Sequence, residues 1–277
     1  MEFFDSGPNI LSCVCTIPDS QKIKAGLIFV HATDGNRLGP HRMFVELANQ
    51  LKHNGIASIR FDMRGCGDSS GEASRNNITP DIEDLLNAVS FFTSKYKLPK
   101  IFIFGISRGA RVTRSALAEH SLSVDGAVLL SAPFSSSKVA AKKFSSCLKE
   151  YLYKFRNPVN LKKLLSGKAN LKQIAKTLVL AVSSQKRYRR NSDEFFTTCP
   201  LFFIYGSKDP IATDSEAHYN NICKKFMIPF KTVKIKNANH SFFNYYWKEQ
   251  IIKMTREWLI EEITNKKKDR SSSEKVK

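Results

Sequence analysis

The sequence predicts an α/β fold, a mostly parallel central sheet with helices on both faces. Three observations carry that expectation. Short apolar runs rich in β-formers alternate with helical stretches along most of the chain. The pentapeptide Gly105-Ile106-Ser107-Arg108-Gly109 falls where one such run gives way to a helix. Two later runs are each followed by a polar loop that carries an Asp or a His.

Strands are expected near 12–17, 25–31, 56–62, 100–105, 126–131, 200–205 and 230–236, and helices near 41–54, 80–96, 108–119, 214–226 and 247–264. Ala25 to Val30, Ile101 to Phe104 and Leu201 to Tyr205 are short and apolar, as buried strands are. Phe230 to Ile235 alternates instead. The helix from 80 has Thr79 as its expected cap and Pro80 at its first position, with Asp81, Glu83 and Asp84 at the positive dipole end. The last helix carries Ile251, Ile252, Trp258, Leu259 and Ile263 on one face. In such a sheet the site loops gather at the C-terminal ends of the strands.

Gly105 to Gly109 reads G-x-S-x-G, and its context gives it meaning. A serine on a sharp strand-to-helix turn is held clear of the sheet, and the flanking glycines leave room for the strained turn. Such a nucleophile needs a base and an acid to orient the base. Three histidines follow Ser107. His120 ends the helix after the elbow, where it suits the helix C-terminus. His218 falls in the polar helix Asp214 to Lys225 and is expected to face solvent. His240 sits in the loop Asn237 to Phe243, after a strand and before the last helix, and is the expected base. Asp209, in the turn Gly206-Ser207-Lys208-Asp209-Pro210, is the expected acid, against the bland role of an Asx-type turn. Asp214 is the fallback, although it reads as an N-cap. The loop Ser131-Ala132-Pro133-Phe134 offers no acid.

An oxyanion hole needs two backbone N–H groups. Arg108 supplies one. The other is expected from the loop His31-Ala32-Thr33-Asp34-Gly35, at Thr33, with Ala32 and Asp34 as neighbouring alternatives.

Strand, elbow, acid turn and histidine loop, in that order, resemble the α/β-hydrolase superfamily. The block Arg60-Phe61-Asp62-Met63-Arg64-Gly65-Cys66-Gly67-Asp68-Ser69-Ser70-Gly71 resembles one found in its serine-aminopeptidase-like and esterase-like members. Together with Gly39-Pro40-His41-Arg42-Met43-Phe44, it is also similar to small hydrolases associated with exosortase gene clusters. The resemblance runs from about Leu27 to Ile263 and implies the α/β-hydrolase fold and a serine nucleophile. It does not specify a substrate, because this fold hosts many chemistries. Two departures stand out. His31-Ala32 replaces the usual His-Gly before the oxyanion residue. Arg108 follows the nucleophile where a small or apolar residue is usual, and it either contacts an acidic substrate group or pairs with a nearby carboxylate. Asp62, Asp68 and Arg64 are expected to position their block by hydrogen bonding.

The 277 residues, 42% of them hydrophobic, suffice for a sizeable core. No run of eighteen apolar residues and no basic leader with an apolar stretch is present, so a cytoplasmic protein is expected. The six cysteines are scattered without C-x-x-C spacing and read as reduced residues rather than a disulfide frame or zinc site. No phosphate loop or dinucleotide fingerprint occurs, and no cofactor is expected.

Between Pro133 and Cys199 the alternation stops, and two amphipathic helical patterns follow, one through Phe144, Leu148, Tyr151, Leu152 and Phe155, the other through Leu171, Ile174, Ala175 and Leu178. The expected organisation is a core at 1–134 and 198–265, a basic helical cap at 135–197 and a disordered tail at 266–277. Residues 138 to 190 hold fifteen Lys or Arg and a single acid, Glu150, out of a chain net charge of +19. This segment either draws in an anionic acyl substrate, seats the protein on an anionic membrane, or is a solvated lysine-rich face. No nucleic-acid module is recognisable, so no nucleic acid is expected as partner.

The expected activity is hydrolysis of an ester or thioester by Ser107, His240 and Asp209. Acyl transfer and peptidase action on the same residues are alternatives, as is non-catalytic binding of an anionic lipid or glycan.

Overall fold

A computed structural model of the chain describes residues 1–19, 22–74, 77–119, 122–134 and 197–273. All of these except Phe134 belong to one compact unit. Its elements are β1 Glu2–Ser6, β2 Asn9–Thr16, β3 Ala25–Val30, α1 Met43–Lys52, β4 Ile56–Phe61, α2 Thr79–Lys95, β5 Ile101–Ile106, α3 Arg108–Glu119, β6 Gly126–Leu130, β7 Leu201–Gly206, α4 Ala212–Lys225, β8 Phe230–Ile235 and α5 Tyr245–Ser273. One sheet takes the strands in the order β1-β2-β4-β3-β5-β6-β7-β8. The pairings β1–β2 and β2–β4 are antiparallel, and the rest are parallel.

Alternate side chains of the buried strands enter two cores. Leu27, Phe29, Phe102 and Phe104 pack on one face with Phe44 and Leu47 of α1 and Trp258 and Leu259 of α5. Ile28, Val30 and Ile103 pack on the other face with Leu85 and Phe92 of α2 and Val112 and Ala116 of α3. Strands covered on both faces read as near-continuous apolar runs, which is why β3, β5 and β7 are visible in the sequence.

The structure corrects several boundaries. β1 is absent from the sequence-based strand set, and β2 starts earlier than 12. The two form a hairpin through Gly7, whose φ of 58° suits a two-residue turn. Glu2 and Asp5 in β1 disguise it as a loop. Helix α1 begins at Met43, because His41 and Arg42 are left-handed at φ 50° and 62°. Thr79 is the first residue of α2 rather than its cap, and its N–H donates to the Asn77 side chain at 3.0 Å. Helix α4 starts at Ala212, so Asp214 lies in its first turn and is not the cap. His218 is half-buried and meets the Tyr219 ring edge-on at 5.5 Å, not facing solvent as expected. Helix α5 continues to Ser273, past 264 and into the stretch expected to be disordered, which contains no Gly or Pro to stop it. The expected cap at 135–197, apart from Thr197, lies outside the described residues, as do His120 and Cys147.

Among the described residues, no helix is long and apolar enough to cross a membrane. The described cysteines, Cys13, Cys15, Cys66, Cys199 and Cys223, are free thiols.

Candidate active site

Ser107 stands between β5 and α3 with a φ of 53°. Such a left-handed conformation costs a non-glycine residue about 1–2 kcal/mol. The surroundings hold it there. The Ser107 N–H donates to the Leu130 carbonyl at 2.8 Å, and its own carbonyl accepts the Arg111 N–H at 3.1 Å. A Cβ on Gly105 would lie 2.6 Å from the Gly109 carbonyl oxygen, and one on Gly109 would lie 2.1 Å from that of Val30. Both glycines are therefore required by close packing of the turn against β3 and against itself.

The Ser107 hydroxyl lies 3.0 Å from His240 Nε2. His240 Nδ1 lies 2.8 Å from Asp209 Oδ2. The three expected residues thus form one hydrogen-bonded line across 133 positions of sequence. With the Asp209 carboxylate accepting at Nδ1, the ring proton belongs there, and Nε2 is left to accept from the serine. Asp209 is buried, whereas the His240 side chain is 35% exposed. The line therefore runs from a dry carboxylate to a half-buried serine.

Two loops brace His240 and Asp209. The Lys208 N–H donates to the Ala238 carbonyl at 2.8 Å, and the Asn237 N–H donates to the Ser207 hydroxyl at 2.8 Å. A side chain on Gly206 would strike Ala238 at 2.4 Å. Asp209 also accepts the Ile211 N–H on Oδ1 at 3.0 Å and the Ser131 hydroxyl on Oδ2 at 3.0 Å. Sequence reasoning passes over Ser131, because the end of β6 is searched only for an acid. A hydroxyl in that loop completes the carboxylate's coordination instead.

The loop after β3 is organised by His31, which is buried. Its Nε2 accepts the Met63 N–H at 3.0 Å, so Nδ1 carries the proton and donates to the Ala32 carbonyl at 2.8 Å. Burial holds the imidazole pKa below its ordinary value and keeps the ring neutral. The Ala32 carbonyl also accepts the Gly35 N–H at 3.1 Å. Because a peptide is planar and trans, fixing that carbonyl turns the Thr33 N–H the opposite way. Thr33 is exposed, and its N–H makes no hydrogen bond among the described residues. The alanine in place of the usual glycine is accommodated without positive φ at Ala32, since it is Asp34 that adopts φ 56°.

Arg108 opens α3 directly after the serine. Its side chain does not stand free. Nε donates to Asp81 Oδ2 at 2.6 Å, and a terminal nitrogen donates to the carbonyls of Ser74 and of Asn77, the latter at 2.8 Å. Pairing with a carboxylate is thus what the structure shows of the two expected roles. Burial pushes the Asp81 carboxyl up, against the pull of Arg108. Asp84 is fully buried and accepts Arg64 Nε at 3.0 Å and the Ser6 hydroxyl at 2.6 Å. Asp81 and Asp84 thus serve as buried counter-ions, more than as dipole partners of α2. Asp62 accepts the Arg37 and Asp68 N–H groups at 2.5 and 3.0 Å, and Arg37 pairs with Asp62 and Asp68. These contacts position the Asp62 to Gly71 block, as expected. Beside Thr33 and Arg108 lies a shallow depression, whose lining includes Ala32, Met63, Cys66 and Asp81. Among the described residues, no group of three His, Cys, Asp or Glu is placed to hold a metal ion.

The chain is similar to known proteins. The Lysophosphatidylserine lipase ABHD12 of Macaca fascicularis is 25% identical over 193 residues, covering 67% of this chain and 42% of the relative. The chain thus spans under half the length of that relative. Esterase EstD of Thermotoga maritima is 27% identical over 122 residues, covering 43% of this chain and 29% of the relative. Among solved structures, Est1E of Butyrivibrio proteoclasticus with ferulic acid bound superposes with a TM-score of 0.66 at 17% identity, covering 95% of this chain and 99% of that one. A Pyrococcus furiosus esterase superposes with a TM-score of 0.65 at 22% identity, covering 95% and 90%. At these identities the superpositions establish the α/β-hydrolase fold. A family model described as Serine aminopeptidase, S33, matches residues 36–244, about three-quarters of the chain. With its elbow serine and its mostly parallel sheet, the chain belongs to this family of α/β-hydrolases.

Proposed function

We propose that the protein is a serine hydrolase that cleaves a carboxylic ester or thioester through Ser107, His240 and Asp209. The observation that carries this reading is the continuous pair of contacts, 3.0 Å from Ser107 Oγ to His240 Nε2 and 2.8 Å from His240 Nδ1 to Asp209 Oδ2. The printed names of the relatives, a lipase and esterases, support ester substrates.

The mechanism follows from the roles. Ser107 Oγ attacks the acyl carbon as His240 Nε2 takes its proton. Asp209 stabilises the imidazolium that results. The N–H groups of Arg108 and Thr33 receive the oxyanion, the first at the start of a helix and the second aimed by the His31 bond to Ala32. His240 then gives its proton to the departing alcohol or thiol. Water, activated by the same imidazole, attacks the acyl-enzyme and restores Ser107. An alcohol in place of water makes the second step acyl transfer. The basic sequence at 138–190 favours an acyl substrate with anionic character.

The test is labelling by a fluorophosphonate probe, with wild type beside Ser107→Ala and His240→Ala. Labelling confined to wild type is expected, together with turnover of short p-nitrophenyl esters that falls by about 10⁴ or more in either variant. Labelling that persists in Ser107→Ala excludes Ser107 as the nucleophile. Aminoacyl p-nitroanilides run in parallel, and faster turnover of these than of the esters converts the reading to a peptidase.

A further inference from the structure

The loop that delivers His240 continues into a run of aromatic residues that the mechanism does not use. Phe242 is fully buried with a left-handed φ of 47°, an outlier for a bulky residue. That turn leaves its neighbour Phe243 61% exposed. Asn244 then caps α5, accepting the Tyr246 N–H on its side chain at 2.8 Å. The cap places Tyr245 and Tyr246 on the first turn, where they are 63% and 72% exposed. Phe243 meets half-buried Trp247 edge-on at 5.4 Å, and Tyr245 meets Tyr246 in the same way at 5.8 Å. The three exposed rings lie within four residues of sequence at the start of α5, and a cluster of this kind, unlike single scattered apolar side chains, marks an interaction surface.

This surface adjoins a cationic corner. Lys248, in the first turn of α5, pairs with Glu46, in the first turn of α1, at 2.6 Å. The starts of the two helices are therefore side by side at the edge of the sheet where His240 lies. Arg42 immediately precedes α1, exposed, left-handed and without a carboxylate partner among the described residues. Behind it Arg60 is 7% exposed, and its Nε makes no hydrogen bond among the described residues. Arg37 and Arg42 both oppose the charge on Arg60, which burial already lowers in pKa. Asp62 and Asp68, close to Arg60 in the sequence, are both paired to Arg37.

We infer that Phe243, Tyr245 and Tyr246, with Arg42 beside them, form a docking surface for an anionic lipid membrane at the rim of the site. Tyrosine and tryptophan have an apolar body and a polar tip, and so suit the boundary between headgroups and acyl chains. A guanidinium at the same level meets the lipid phosphates. Docking here brings an acyl lipid to the side of the protein on which His240 and Ser107 open. The inference deepens the ester-hydrolase reading, on which its purpose but not the binding itself rests.

The experiment uses the full chain carrying Ser107→Ala, so that binding is read without turnover. Vesicles of phosphatidylcholine, with and without phosphatidylglycerol, are sedimented with the protein at two salt concentrations. The expected result is partition onto the phosphatidylglycerol vesicles, weaker at high salt, with a blue shift in the fluorescence of Trp247. Adding Tyr245→Ser and Tyr246→Ser is expected to lower the partition by about ten-fold. Arg42→Gln lowers it further and reduces the salt dependence. Phenylalanine at both tyrosine positions retains binding, and melting temperatures verify that each variant is folded. Three outcomes overturn the inference: no partition, partition equal in the serine variant and carried instead by residues 138 to 190, or a solution dimer that the serine substitutions dissolve. Failure of the hydrolase reading appears separately, as absent fluorophosphonate labelling in protein with a serine at 107.

Discussion

Ser131 donates its hydroxyl to Oδ2 of Asp209 at 3.0 Å, the same oxygen that His240 reaches through Nδ1 at 2.8 Å. Ser131 adopts φ 48° to do so. The carboxylate that His240 meets is therefore itself held, by a residue one strand away. In the Ser131→Ala protein the buried carboxylate loses one of its three donors. Under the proposed mechanism kcat is expected to fall about 2- to 10-fold, with a stability loss of about 1 kcal/mol. With more charge left for the imidazolium, the acid limb of the pH–rate profile moves to higher pH. Ser131→Gly loses the same bond but relieves the left-handed backbone, so it melts above the alanine variant. A pH profile with an unmoved acid limb would show that Ser131 only packs.

Ser107 is held at φ 53°, a conformation that costs a non-glycine residue stability. Ser107→Gly removes the hydroxyl and the steric cost together. Turnover is expected to vanish while stability rises by about 1 kcal/mol, a gain of roughly 2–4 °C in melting temperature for a chain of this size. Thermal melts of wild type, Ser107→Ala and Ser107→Gly settle the point. The glycine variant should be the most stable of the three.

His31 couples the site to pH. Its folded pKa lies below the ordinary histidine value of about 6.5, because burial disfavours the charged ring. The unfolded chain therefore binds more protons below that pH. The stability this group confers is complete above about pH 6.5 and declines as pH falls below it, at up to about 1.4 kcal/mol per pH unit. His31→Gln supplies a neutral side chain that does not titrate. The slope of unfolding free energy against pH, measured by urea denaturation below pH 6.5, is expected to be shallower in that variant.

Arg108 and Asp81 form a pair that is 10% and 5% exposed. Arg108→Met leaves Asp81 buried without its main counter-ion, at an expected cost of about 3–5 kcal/mol. The double variant Arg108→Met/Asp81→Leu recovers most of that loss. A double-mutant cycle by chemical denaturation gives the coupling. Because the Arg108 side chain is committed to Asp81, the preference among anionic and neutral esters is expected to be the same in the double variant as in wild type.

The residues of the candidate site were legible in the sequence because they are local signals. Gly105 to Gly109 must read as it does, since the turn admits no Cβ at either end. Asp209 follows a buried strand whose apolar run announces it, and His240 follows the alternating strand β8. The parallel core was legible for the same reason, as strands covered on both faces leave little room for polar residues. What the sequence could not show is which distant side chains would meet. Ser131 reaching Asp209, His31 bridging Ala32 and Met63, and Arg108 closing on Asp81 depend on strand order and on the approach of segments 27 to 78 residues apart. β1 escaped because a half-exposed edge strand carries Glu2 and Asp5 and gains its pairing only from β2. Local composition fixes turn chemistry and burial. Hydrogen-bond partners across a sheet are chosen by register, which only the assembled fold supplies.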